Sequence, residues 1–157
     1  MQAQGGCLVN SYNRVYIHFV WATWDREPTI SPDAGAILYC GIAAACRKLK
    51  GMPLEIGGTE DHVHALVRIP GTVCTADMAH QMKGSSSHLE NATAGLPVRF
   101  RWQGAYAAFS VSRGDVPRVR AYICCQKQHH SAGTIDPDLE RCTQPADNET
   151  DDEETFY

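Results

Sequence analysis

The run Val15–Trp24, VYIHFVWATW, is dense in β-branched and aromatic residues and so favours a strand. A period of two puts Val15, Ile17, Phe19 and Trp21 on one face and Tyr16, His18, Val20 and Ala22 on the other. Both faces are largely apolar, which predicts a central strand, ended by Asp25-Arg26-Glu27-Pro28. A second run opens with Asp61-His62-Val63-His64 and continues Ala65-Leu66-Val67-Arg68-Ile69. Its alternation gives Val63, Ala65, Val67 and Ile69 a buriable face, while His62 and His64 project from the opposite face about 7 Å apart.

Between these runs the pattern changes to helical. Ser31 is placed to cap a helix with Pro32 at its first position, and an Ala-rich run then reaches Lys50 before Gly51. Arg47, Lys48 and Lys50 put positive charge where the helix dipole favours it. A short strand around Leu54–Thr59 precedes the histidine strand closely enough to form an antiparallel hairpin with it. A second helix is expected over roughly Thr75–Glu90, capped by Thr75, with Met78, Met82 and Leu89 on its apolar face. Lys83-Gly84-Ser85-Ser86-Ser87 within it is poor helix material, marking a helix end or a close approach of backbone or phosphate. Residues 105–112 return to strand character, and Asp115 is expected to cap a third helix running to about His129. The order β-α-β-β-α-β-α predicts an α+β, ferredoxin-like (RRM-like) fold, four antiparallel strands with helices on one face plus a C-terminal helix.

Composition narrows the class. The 157 residues suit one domain and contain no apolar run of membrane-spanning length. The N-terminus lacks a signal-peptide pattern, and the seven cysteines are scattered without a C-x-x-C pair, which reads as reduced, mostly buried thiols in a cytoplasmic protein. The net charge of −4 hides an asymmetry. Residues 136–157 hold nine acids against Arg141 alone, so a body of net +4 carries a tail of net −8. A basic body suits a phosphate-bearing partner, and the tail reads as solvated. Residues 1–130 are accordingly expected to form the functional domain and residues 131–157 an acidic, flexible extension.

Chemistry concentrates at two places. Tyr122 and Gln126 are four apart on the third helix and share a face, which His129 and His130 extend. Set against the strand histidines, this suggests a divalent ion bound by His62, His64 and the carbonyl oxygen of Gln126, with Tyr122 as an activated nucleophile. An N,N,O set suits Mn²⁺ and accommodates Mg²⁺ less comfortably. The ion would polarise a phosphoryl oxygen. Taken singly, His-Val-His also fits two half-buried structural histidines, and Tyr122 fits ordinary helix packing.

The ordered stretches VYIHFVWATWDREPTI, GGTEDHVHALVRIP, HQMKGSSS, FRWQGAYAAFSVSR and VPRVRAYICCQKQHH resemble the single-tyrosine HUH transposases of small bacterial insertion sequences, the TnpA type, and their REP-associated relatives. The resemblance spans about residues 14–130. It implies that His62, His64 and Gln126 hold the metal and that Tyr122 is the nucleophile. It also implies cleavage and rejoining of single-stranded DNA beside subterminal hairpins, through a 5′-phosphotyrosine and a free 3′-OH. No nucleotide cofactor and no membrane partner are implied. Family members are homodimers in which the tyrosine helix of one subunit can serve the histidines of the other. Gln126 as third ligand points to the insertion-sequence branch. After His130 the chain departs from its relatives, which continue with an aromatic and acidic helical stretch.

Lys83, Arg99, Arg101, Arg113, Arg118, Arg120 and Lys127 are the expected DNA-binding residues, with Trp24, Trp102 or Tyr106 available to stack on unpaired bases. A non-catalytic protein that binds single-stranded DNA or hairpins on the same fold is the alternative from a different class.

Overall fold

The computed structural model describes residues 12–93 and 99–142. Strands β1 (Val15–Ala22), β2 (Met52–Gly58), β3 (His62–Ile69) and β4 (Ala107–Val111) form one sheet of order β2-β3-β1-β4, antiparallel throughout. Helix α1 (Pro32–Lys48) joins β1 to β2, and α2 (Thr75–Thr93) joins β3 to β4. The chain closes with α3 (Val116–Cys124), α4 (Gln126–Ala132) and the single turn α5 (Pro137–Glu140). This is the expected ferredoxin-like arrangement, with β1 central as its two apolar faces require. Among the described residues no helix is long and apolar enough to cross a membrane.

The alternation along β1 and β3 creates two separate interiors. Ile17, Phe19 and Trp21 with Val63, Ala65, Val67 and Ile69 pack against Leu38 and Ile42 of α1 and Met78 and Met82 of α2. On the opposite face, Leu66 meets Val119, Tyr122, Ile123 and Leu139. The first layer supplies the scaffold and the second carries the polar site. Leu38 is fully buried in the first. Leu38→Ala is expected to destabilise the fold by roughly 2–5 kcal/mol. A urea titration showing a lower midpoint at unchanged slope would check this.

The glycine and serines of α2 serve packing. The helix continues through them, and Ser86 is fully buried against α1, where a Cβ on Gly41 would stand 3.0 Å from Ser86 Cα. Only small residues permit so close a crossing of two helices. Ser86 Oγ also accepts the Trp102 indole N–H at 3.0 Å.

Other expectations change in detail. Ser31 caps α1 as expected, its Oγ accepting from Ala34 N at 3.2 Å. Asp115 does not cap α3 with its side chain, because its carboxylate accepts from Ser112 Oγ at 2.6 Å instead. The third helix breaks at Cys125, whose N–H is shared between the carbonyls of Ala121 and Tyr122. Such sharing tightens the last turn of α3 and re-aims α4. The chain beyond residue 130 also packs on the body. Asp136 caps α5 by accepting from Asp138 N at 3.1 Å, Pro137 opens the turn, and Leu139 and Cys142 are buried. Burial of Leu139 carries the ordered body past the expected boundary at 130 as far as Cys142. Residues 143–157 of the expected acidic extension lie outside the described residues.

Candidate active site

The polar site lies on the second face of the sheet, under α3, α4 and α5. His62 and His64 share that face as the strand period demands, and both are buried. His62 Nδ1 lies 2.6 Å from Asp61 Oδ1, and Asp61 is itself held by Arg26 at 2.8 Å and by the Thr59 hydroxyl at 2.9 Å. This pairing keeps a proton on Nδ1 and turns Nε2 inward. His64 Nδ1 lies 3.0 Å from Nε2 of His18, and the two rings stack at 5.2 Å. Burial, and then the neighbouring His64, push the His18 imidazolium down to about 3, so His18 is neutral. A neutral His18 that accepts from His64 Nδ1 leaves His64 Nε2 free to bind.

Tyr122 and Gln126 come to the same place from the other side. α3 can sit this low because β2 carries Gly57, where a Cβ would fall 2.6 Å from the carbonyl oxygen of Ile123. Gly57→Ala forces α3, and Tyr122 with it, off the sheet. Overpacking of this kind is expected to cost about 1–3 kcal/mol, and displacing a reacting group by about 1 Å costs on the order of 10²-fold in rate. Unfolding midpoint and single-turnover rate, measured on the same preparation, test both parts.

Everything converges on one carboxylate. Glu140 Oε1 accepts from the Tyr122 hydroxyl and from Gln126 Nε2 at 3.1 Å. Glu140 Oε2 lies 3.1 Å from His62 Nε2, 3.5 Å from His64 Nε2 and 3.4 Å from His130 Nε2. The Tyr122 oxygen also accepts from Asp136 N at 3.2 Å, and its ring stacks on His129 at 4.7 Å. Burial, reinforced by the bond to Glu140, pushes the Tyr122 phenol up to about 12. Burial would raise the Glu140 carboxyl, but the close imidazoles of His62 and His64 and the hydrogen bond from Tyr122 outweigh it and hold it well below the ordinary range. For His62 burial favours the neutral ring, yet Glu140 and Asp61 prevail and raise it; for His64 burial prevails and lowers it.

The donor set fits a divalent ion. His62 Nε2, His64 Nε2 and Gln126 Oε1 are buried with no aligned hydrogen-bond partner among the described residues. Buried polar atoms are seldom left so, and each of the three is a donor type that a divalent ion accepts. His62, His130 and Glu140 also bring one ligand atom each within 4.8 Å of one another.

A family model described as "Transposase IS200 like" matches residues 11–126. The chain belongs to the IS200-like transposase family. No curated protein sequence gives a significant match. Among solved structures, a "putative transposase" of Deinococcus radiodurans R1 is 18% identical with a TM-score of 0.60, over 80% of this chain and 97% of that one. A REP-associated tyrosine transposase bound to a REP hairpin is 15% identical with a TM-score of 0.57, over 83% of this chain and 76% of that one. At these identities the likeness is one of fold, and it agrees with the four-stranded sheet. In this IS200-like transposase the family match takes in His18, His62, His64, Tyr122 and Gln126 and stops at the last of these. His130 and Glu140 lie beyond it.

The transposase's basic residues are spread over several surfaces. Arg99 and Arg101 line a groove of about 1230 Å³ between α2 and residues 99–106, together with His80, His88 and Tyr106. Arg101 lies 4.1 Å over the half-exposed ring of Trp24, a platform open to solvent. Lys83 borders the groove but donates to the carbonyls of Gln103, Gly104 and Ala105 at 2.8–3.0 Å, using all three N–H bonds on backbone instead of on a phosphate. Arg118 pairs with Asp136 at 3.2 Å and Arg120 with Glu55 at 3.4 Å, both near the surface. Arg113 and Lys127 are exposed. Trp102 is buried in the core, edge-on to Trp21 and Phe100, and Tyr106 is partly buried against the same cluster.

The sequence alone does not single out His18, Asp61, His130 or Glu140 for these roles. The strand period puts His18 on the correct face but shows no partner to give it meaning. Glu140 falls among the acids of the expected tail. The available signal for it is Asp136-Pro137 followed by Leu139, a helix start with an apolar residue to bury.

Proposed function

We propose that this transposase is an HUH-type enzyme that cleaves and rejoins single-stranded DNA at element ends, with Tyr122 as nucleophile and a divalent ion, Mn²⁺ or Mg²⁺, held by His62, His64 and Gln126. One observation carries the reading. The hydroxyl of Tyr122 and the inward nitrogens of both histidines meet at a single carboxylate within one chain. A phenol, two imidazole nitrogens and a side-chain amide gathered at one carboxylate serve no packing purpose that apolar residues would not serve better.

A bound divalent ion supplies polarisation of a non-bridging phosphate oxygen and neutralises charge as the tyrosine attacks. The chain's own groups do the remainder. Asp61 and His18 fix the imidazoles so that both Nε2 atoms face inward. Glu140 Oε1 holds the Tyr122 hydroxyl proton. The Tyr122 oxygen forms a bond to phosphorus, the 3′ oxygen leaves, and a 5′-phosphotyrosine results. Attack by another 3′-OH reverses the step, so no nucleotide cofactor is consumed.

Arg99, Arg101, Arg113, Arg118, Arg120 and Lys127 are proposed to line the path of the strand, with Trp24 stacking on an unpaired base. Lys83 is proposed to act there indirectly, by fixing the loop at 103–105. The structural relative that binds a REP hairpin supports a hairpin-bearing DNA as partner. The proposed working unit is a cytoplasmic homodimer, and light scattering on a sizing column tests that. Incubation with labelled single-stranded DNA from the flanks of the protein's own gene and Mn²⁺ should give a covalent adduct on a denaturing gel. Hairpin binding without any adduct in Mn²⁺ or Mg²⁺ would instead establish a non-catalytic binder.

A further inference from the structure

His62 donates through Nδ1 to Asp61, so in its neutral form Nε2 carries a lone pair. That lone pair is directed at the carboxylate of Glu140, 3.1 Å away, and His64 Nε2 stands 3.5 Å from the same oxygen. Neither contact is aligned as a hydrogen bond. Imidazole nitrogens facing an anion at this range need a cation among them, a proton or a metal ion. Donor atoms bound at about 2.1 Å to one ion sit about 3.0–3.5 Å from each other, which is the spacing of Glu140 Oε2 from each of the two imidazole nitrogens.

We propose that Glu140 is an anionic ligand of the ion held by His62 and His64, and that its second oxygen fixes the Tyr122 hydroxyl beside that ion. The inference rests on the metal site of the proposed function and extends it to a residue beyond the family match. The placement follows from local structure. The Asp136 cap and Pro137 start a single turn, and burial of Leu139 against Val119 and Ile123 anchors it so that Glu140 points into the site. Gln126 Nε2 and the Tyr122 hydroxyl occupy Oε1, leaving Oε2 to face the imidazoles. A carboxylate adds negative charge and a hard oxygen to a neutral N,N,O set. Both changes favour Mn²⁺ and make Mg²⁺ acceptable.

Mn²⁺ binding to the metal-free, full-length protein, followed by the loss of the free-ion paramagnetic resonance signal, provides the test without reference to activity. Glu140→Gln keeps the size of the side chain and is expected to weaken Mn²⁺ binding by roughly tenfold or more, since even partners behind a ligand are worth about 10–100-fold. Glu140→Asp should fall between the two. Circular dichroism of the metal-free variants checks folding, and if Glu140→Gln does not fold, Glu140→Asp alone carries the comparison. Unchanged or tighter binding in the variants overturns the ligand role and makes Glu140 a competitor for the site. If the native protein takes up no Mn²⁺, this inference and the metal site itself both fall, whereas native binding with indifferent variants removes only the former.

Discussion

Replacing Tyr122 by phenylalanine is expected to abolish the covalent protein–DNA adduct while DNA affinity changes by less than about threefold. The substitution deletes one oxygen from a ring that is otherwise packed against Ile123, Val119 and Leu66 and stacked on His129, so the fold keeps its apolar contacts. What disappears is the atom proposed to form the bond to phosphorus. Loss of a nucleophile from an assembled site costs on the order of 10⁴–10⁶-fold, because the surviving groups can only bind and polarise. The lost oxygen also leaves Glu140 with one donor fewer and Asp136 N without its acceptor. A deficit of about 1–3 kcal/mol in stability should accompany the chemical defect. The decisive measurement is a denaturing gel of labelled single-stranded DNA incubated with each protein, beside a filter-binding titration of the same pair. An adduct retained in the variant would remove Tyr122 from its role and direct attention to another residue of the site.

The fold is legible in the sequence where a period decides. β1 and β3 are specified by alternation, since a shift of one residue would move every apolar side chain to the wrong face. The pairing that brings His18 to His64 depends on register, Val20 opposite His64 and His18 opposite Leu66, which a single strand cannot display. Tyr122 and Gln126 are legible because four residues make about one helical turn. The break at Cys125 between them is not, because it arises from shared carbonyls and not from a glycine or proline. Glu140 is obscured by its neighbours. Within a run of acids its charge reads as solvated, and only the burial of Leu139 distinguishes this segment from a tail. The groove and the core divide the aromatic candidates on similar grounds. Trp102 loses its claim to a base by packing on Trp21, while Trp24, outside any cluster, keeps it.

His62→Ala should remove most of the metal-dependent activity, and the comparison with Asp61→Asn indicates how. His62 is nearly fully buried and offers its Nε2 to the site, so its loss takes away a proposed ligand outright. If polarisation by the ion is worth several kcal/mol, and each 1.36 kcal/mol is a factor of ten, cleavage in Mn²⁺ should fall by roughly 10²–10⁴-fold. Asp61→Asn leaves the imidazole in place but weakens the contact that orients it, and Arg26 loses its ion pair at the same time. The expected loss is then about 10–100-fold, the usual worth of a partner standing behind a ligand. Neither change touches the groove between α2 and residues 99–106, so binding of single-stranded DNA in chelator should stay near the native level. Single-turnover cleavage over a range of Mn²⁺ separates the two variants. Asp61→Asn should be rescued in part by high Mn²⁺, since its site is intact but weak, whereas His62→Ala should stay inactive across the range. Equal activity of His62→Ala and the native protein, with the same dependence on Mn²⁺, would show that the ion binds elsewhere and that the two histidines serve the fold alone.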